Sequence, residues 1–403
     1  MNNQAVPVVM YHSIRVIKEN SPLKHLLCPL ELFENHLQLL KKNNINTISL
    51  QELYNYMKNG IKINGNSIVL TFDDGYLDNW VFAYPLLKKY GFKGTIYVNP
   101  EFVDSRSIVR NNLQYVWDNK RDIEHLETTG FLSWEEMKIM ESEGVMDIQS
   151  HSMSHTWYFC GDEIVDFHHP GSSQYPWLFW NARPERKSFY LNENQESFVP
   201  YGTPVFKHGR SLGIRRYFDD EGLRNHIVDF VGKQGDAFFN SKDWKNNLFH
   251  KVEHYKKENK LVDRYETDEE QEARYRYELI ESRSLLEKQL NKRVHSLCWA
   301  GSAFNDKALS IANEAGYISS TVFYNNRERK NRYGEDPSFI NRTGCGSSFD
   351  WHNKFISYTD PGYFMASLKY FHGNRVYLWI MRLYKLKYLL RHFIVKLLKT
   401  GEQ

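Results

Sequence analysis

Ser67-Ile68-Val69-Leu70-Thr71-Phe72-Asp73-Asp74-Gly75-Tyr76 is the stretch on which the reading of this chain turns. Ile68 to Thr71 is an apolar run of strand length, which predicts a short buried strand. Two adjacent carboxylates follow it, at the C-terminal end of that strand, where α/β barrels carry their chemistry. Neighbouring residues at a strand end point in different directions, so one carboxylate can hold a cation while the other stays free to take a proton. Gly75 permits a tight turn straight after them.

Working outward, the next chemistry-bearing run is Ser150-His151-Ser152-Met153-Ser154-His155. Two histidines four apart share one face if the segment is a helical turn, with Ser150 as its cap. Asp74, His151 and His155 together offer one oxygen and two imidazole nitrogens. That set suits Zn²⁺, Fe²⁺ or Co²⁺ with coordination positions left open.

With these two runs in place, the chain resembles the polysaccharide deacetylases with a NodB-like catalytic domain, carbohydrate esterase family four. Thr71-Phe72-Asp73-Asp74-Gly75 and His151-Ser152-Met153-Ser154-His155 match that family's first two motifs, in order. Val8 to His12, Phe33 to Leu53, Pro85 to Val98 and Glu278 to Tyr317 fit its flanking elements. The likeness covers roughly residues 6 to 155 and 270 to 345. It implies a distorted (β/α)7-type barrel, an α/β fold. It also implies that Asp73 is the general base and that Asp74, His151 and His155 hold a divalent metal, Zn²⁺ first with Co²⁺ or Ni²⁺ as alternatives. The implied reaction is hydrolysis of an N-acetyl group on an amino sugar. Trp299 is expected to line the acetyl pocket, and Tyr11 and His12 to border the substrate.

Two parts of the family pattern have no counterpart. The third motif falls on Leu297-Cys298-Trp299-Ala300-Gly301-Ser302, which lacks the usual Arg and Pro, so the group that orients the base is unassigned. The late motif that supplies the general acid is also missing, and His12, His208, His295 and His372 are the candidates. Asp78, one turn beyond Asp74, is expected to be an exposed helix residue.

Organisation follows from periodicity. Residues 1–155 alternate strands and helices, including helical spacing over Leu30 to Lys42 and Leu50 to Lys58. Residues 156–268 break the pattern with Trp, Tyr and Phe among Pro and Gly, and with Arg183, Arg186, Lys187, Arg210, Arg215 and Arg216. This stretch is expected to be an insertion beside the site, partly a lid, whose arginines suit phosphate oxygens. Residues 269–360 resume the barrel, with an amphipathic helix over Asp268 to Asn291. In 361–403, Trp379, Leu383, Leu386, Leu390, Phe393 and Leu397 form one helical stripe, and Arg382, Lys385, His392, Lys396 and Lys399 another. Such a basic amphipathic helix is expected to lie on an anionic membrane.

The chain has 403 residues and a formal net charge of +3, which points to no nucleic-acid partner. Its four cysteines, Cys28, Cys160, Cys298 and Cys345, are too scattered for a disulfide framework or a zinc ribbon. No leader-like start and no eighteen-residue apolar run is present, so a cytoplasmic protein, peripheral on the inner membrane face, is expected. The substrate expected in that setting is a lipid-linked or nucleotide-linked precursor of a cell-surface glycan. The competing readings are a deformylase on a related sugar, a non-catalytic glycan or lipid-carrier binder, and an iron oxygenase built on two histidines and one carboxylate.

Overall fold

In the computed structural model, residues 4–16, 26–118, 120, 122–323, 330–352 and 354–400 are described, the last of these with side chains up to 394. Six parallel strands follow one another: β1 (Val8–Tyr11), β2 (Ser67–Phe72), β3 (Gly94–Val98), β4 (Met146–Ser150), β5 (Ser296–Cys298) and β6 (Ser319–Val322). They pair in chain order. The last strand, β7, comprises Ile340–Asn341 and Thr343–Gly344 and closes the ring. Its first half pairs with β6 (Thr321↔Ile340, Val322↔Asn341), and its second half with β1 (Val9↔Thr343, Met10↔Gly344). The fold is therefore a NodB-like (β/α)7-type barrel. Arg342 stands at the point where the closing strand passes from one neighbour to the other.

All six residues of β2 are buried, as a parallel strand covered on both faces requires. The helices outside are set by local signals. Leu50–Asn59 starts on a capping box in which Ser49 and Glu52 satisfy each other's backbone N–H groups. It ends on left-handed Gly60 and buries Leu50, Leu53, Tyr56 and Met57. Leu30–Lys42 forms as its spacing predicts, burying Leu32, Phe33, His36, Leu37 and Leu40. The helix expected over Asp268 to Asn291 runs from Asp268 to Leu290, with a π-helical segment at Tyr277–Glu281.

The stretch between the second motif and Asp268 has ordered structure of its own. A long antiparallel hairpin pairs Trp157–Phe167 with Pro204–Arg210. Helix Pro176–Ala182 buries Trp177, Leu178, Phe179 and Trp180. Helices Glu221–Gln234 and Trp244–Glu258 bury Leu223, Ile227, Val231, Leu248 and Val252 around Phe167.

Asp78 departs from expectation. It is wholly buried and accepts hydrogen bonds from Ser13 Oγ, from the Ile14 N–H at 3.1 Å and from Arg15 Nε at 3.1 Å. The helical turn after the motif faces inward, so its carboxylate ties the entry segment after β1 to the barrel. The helix Val376–Thr400 packs on the body through Tyr384 and Tyr388, beside Ile356 and Tyr358. Leu397, Lys396 and Lys399 of the expected stripes lie outside the described side chains.

Candidate metal centre and catalytic carboxylates

Every residue of the site lies at the C-terminal ends of the strands, the catalytic face of such barrels. After β2 the chain turns through two left-handed residues, Asp74 (φ 72°) and Gly75 (φ 67°). A positive φ at a non-glycine costs about 1 kcal/mol or more. Here it swings the Asp74 carboxylate toward β4. Asp74 Oδ1 lies 3.3 Å from His151 Nε2 and 3.5 Å from His155 Nε2.

The two histidines meet without a helix. His151 follows β4 directly, and the chain then passes through left-handed Ser152 (φ 66°) and His155 (φ 47°). Their rings sit 5.0 Å apart. The expected helical turn is thus replaced by an irregular loop, because its backbone is held by outside partners. Asn99, at the end of β3, donates to the carbonyls of His151 and Ser152. Glu278, buried in the π-helical segment, accepts from the N–H groups of Met153 (3.1 Å) and Ser154 (3.0 Å). It also accepts from the hydroxyls of Ser154 and Ser211. Buried Lys187 reaches the Ser154 carbonyl at 3.2 Å and pairs with Glu101.

This donor set fits a divalent cation. His151 Nδ1 donates to the Cys298 carbonyl at 2.8 Å, which leaves Nε2 facing Asp74. A hydrogen bond of this kind fixes the tautomer and turns Nε2 toward a cation. Burial pushes His155 down to about 4, so its imidazole is neutral at ordinary pH and can offer a ring lone pair to a cation. The ligand atoms of Asp74, His151 and His155 all fall within 4.8 Å of one another.

Asp73 is separate from that triad and differently supported. Arg342 Nη1 donates to its Oδ1 at 2.6 Å, with both side chains 3 % exposed. Oδ2 faces the Cys298 thiol at 3.7 Å and His12 Nε2 at 3.8 Å. Burial pushes the Asp73 carboxyl up, but Arg342, then His151 and His12, outweigh it and hold the group below the ordinary carboxylate value. Asp73 is therefore an anion with one oxygen anchored and the other turned to the site.

The other expected residues are distributed unevenly. Among the four candidate histidines, His12 alone touches Asp73. His208 packs among Trp157, Tyr175 and Trp177, His295 precedes β5 on the opposite face, and His372 caps helix Gly362–Phe371. Tyr11 is buried in the core with its hydroxyl 3.0 Å from His36 Nδ1. Trp299 is buried too, stacked on Phe304 and donating to Ser320 Oγ at 2.8 Å. The cavity beside Asp74 and His155, about 140 Å³, is lined instead by aromatics including Tyr76, Phe102, Phe131, Trp180 and Tyr190. Arg342, Glu278 and Asn99 were not assigned these contacts from the sequence.

Residues 61–201 match the family model for polysaccharide deacetylase. Over this stretch the chain is similar to that family. The match holds Asp73, Asp74, His151 and His155. A Bacillus subtilis (strain 168) protein, YxkH, named as a candidate polysaccharide deacetylase, is 33 % identical over 150 residues, which cover 37 % of this chain and 43 % of the relative. The alignment thus spans less than half of either protein. Among solved structures, a de-N-acetylase from Aggregatibacter actinomycetemcomitans has a TM-score of 0.50 at 17 % identity, over 84 % of this chain and 93 % of that one. The Streptococcus pyogenes deacetylase PplD, solved with acetate, has a TM-score of 0.44 at 16 % identity, over 85 % and 93 %. The first of these likenesses concerns the fold.

Proposed function

We propose that this deacetylase-family protein is a metal-dependent hydrolase that removes an N-acetyl group from an amino sugar, on a lipid-linked precursor of a cell-surface glycan. The observation that carries the reaction is the division of labour between adjacent carboxylates. Asp74 faces two imidazoles, whereas Asp73 anchors one oxygen on a guanidinium and turns the other to the site.

Asp74, His151 and His155 would hold the cation, with Zn²⁺ the best fit to one oxygen and two nitrogens. Such an ion supplies Lewis acidity to the amide carbonyl and acidifies water. Asp73 Oδ2 takes the proton of the attacking water, while Arg342 keeps the carboxylate in register. The contact of His12 Nε2 with Asp73 Oδ2 at 3.8 Å supports His12 as the donor of a proton to the departing amine. The balanced outcome is acetate plus the free amino sugar.

The lipid-linked substrate is supported by the C-terminal helix. From Pro361 through Thr400 the sequence contains no Asp or Glu. Trp379, Leu383, Leu386, Leu390 and Phe393 are all exposed, with Trp379 at 65 % and Leu383 at 64 %. An apolar stripe turned away from the body and flanked by Arg382, Lys385 and Arg391 matches an anionic lipid surface. Among the described residues no helix is long and apolar enough to cross a membrane.

The test is bound metal and released acetate on the same preparations. Wild type should carry about one Zn²⁺ per chain. His151→Ala and His155→Ala should lose it. Asp73→Asn should keep the metal and release no acetate from N-acetylated amino sugars. A wild type that takes up none of Zn²⁺, Co²⁺ or Ni²⁺ would sink the proposal.

A further inference from the structure

The hairpin beyond the second motif ends on a cation that has no acid. Arg210 lies opposite Trp157 in the hairpin register, and its guanidinium stacks on the indole at 4.9 Å. Among the described residues it makes no hydrogen bond and no ion pair. Other arginines of residues 156–276 are matched: Arg186 with Glu193, Arg215 with Asp268 and Arg274 with Glu266.

The barrel makes room for this side chain. Gly301, in the turn after β5, adopts φ 53°, and a Cβ there would fall 1.2 Å from Arg210 Nη1. The guanidinium therefore rests against bare backbone at the position where the family's third motif departs from its usual form. Trp157 lies two residues beyond His155, and Gly301 three beyond Cys298, whose carbonyl accepts from His151 Nδ1. The side chain thus stands beside the segments that carry His155 and the partner of His151.

A guanidinium presents five N–H donors in a planar fork and stays charged. Stacking on Trp157 holds that plane while leaving the edges free. We propose that Arg210 binds an oxyanion of the substrate, a carboxylate or phosphate group attached to the sugar that enters the site. This rests on the amino-sugar reading above and adds a substrate class to it: acidic rather than neutral N-acetylated sugars. Arg210 is a specificity residue here and takes no part in bond cleavage.

The experiment is calorimetric binding to the full chain, stripped of metal by chelation so that no turnover occurs. The probes are N-acetylglucosamine 6-phosphate, N-acetylmuramic acid and neutral N-acetylglucosamine. At least one anionic sugar should bind wild type about tenfold or more tighter than the neutral one, which corresponds to about 1.4 kcal/mol. Arg210→Gln should erase the preference, and Arg210→Lys should retain part of it. Which anionic probe wins tells phosphate from carboxylate. Gly301→Ala, which displaces the guanidinium without removing its charge, should weaken the anionic probe selectively. Equal affinities, no measurable binding of either anionic sugar, or a preference that survives Arg210→Gln would each overturn the proposal. An intact anion preference in a metal-loaded protein that releases no acetate would instead count against the hydrolase reading alone.

Discussion

Arg342 Nη1 donates to Asp73 Oδ1 at 2.6 Å across 269 positions of sequence, and both groups are buried. The same guanidinium reaches Cys298 Sγ with Nη2 at 3.1 Å. A buried carboxylate without a counter-charge is costly and tends to neutralise. Arg342→Ala should therefore lower kcat for acetate release by about 10²-fold or more, within the range that general-base catalysis contributes. KM and bound metal should stay near wild type, and Arg342→Lys should recover part of the rate. Unchanged kcat in Arg342→Ala would show that Asp73 needs no partner.

Glu278 governs the other half of the site. Its carboxylate accepts from four donors, two of them N–H groups inside the loop between His151 and His155. Glu278→Ala leaves those donors buried and unpaired, at a cost of about 3 kcal/mol. Denaturant titration should read that loss. The same variant should bind Zn²⁺ about 10- to 100-fold more weakly, because the ligands lose the shell that orients them. A stability loss with unchanged metal affinity would make Glu278 a folding residue only.

His36 gives the barrel an acid sensitivity that does not involve the site. Its ring is buried, stacked on Phe364 at 4.1 Å, and Nε2 has no partner among the described residues. Burial pushes its pKa down to about 3. In the unfolded chain the value is near 6.5, so the unfolded state binds the proton first as pH falls. This group's contribution is complete above about pH 6.5 and is lost progressively toward pH 3. Between pH 7 and pH 5 the loss is about 2 kcal/mol. Denaturation midpoints should show this slope in wild type and a flatter one in His36→Gln.

The C-terminal helix predicts binding to vesicles containing phosphatidylglycerol and little binding to phosphatidylcholine alone. Salt should weaken it, since screening acts on the basic flank. Leu383→Asp with Leu390→Asp should abolish sedimentation with vesicles while bound metal stays the same. If those substitutions instead convert a dimer to a monomer, the stripe is an interface between copies.

Much of the barrel was legible because its signals are local. Leu30–Lys42 carries a helical stripe and Ser67–Phe72 a buried run, and each folds as its own pattern dictates. Asp73, Asp74, His151 and His155 were legible because each pair lies within a few residues. Arg342 was not, since it sits between two short strand segments with no motif around it, and its partner is reached only through barrel closure. Glu278 reads as one acid among many on a charged helix, and only the π-helical segment and its burial set it apart. The His151–His155 spacing suggested a helix because sequence separation fixes ring proximity only when the backbone is regular.

The closing strand sets an order of events as well as a shape. The candidate metal ligands and Asp73 all emerge before Arg342 during synthesis. Arg342 arrives much later, on the strand that joins β6 to β1. A partly made or unzipped chain therefore has Asp74, His151 and His155 but an Asp73 with no guanidinium beside it. The Asp73–Arg342 pair forms in the same step that removes the last open edge of the sheet, so on the proposed reaction an incompletely folded molecule would be held idle by its own topology.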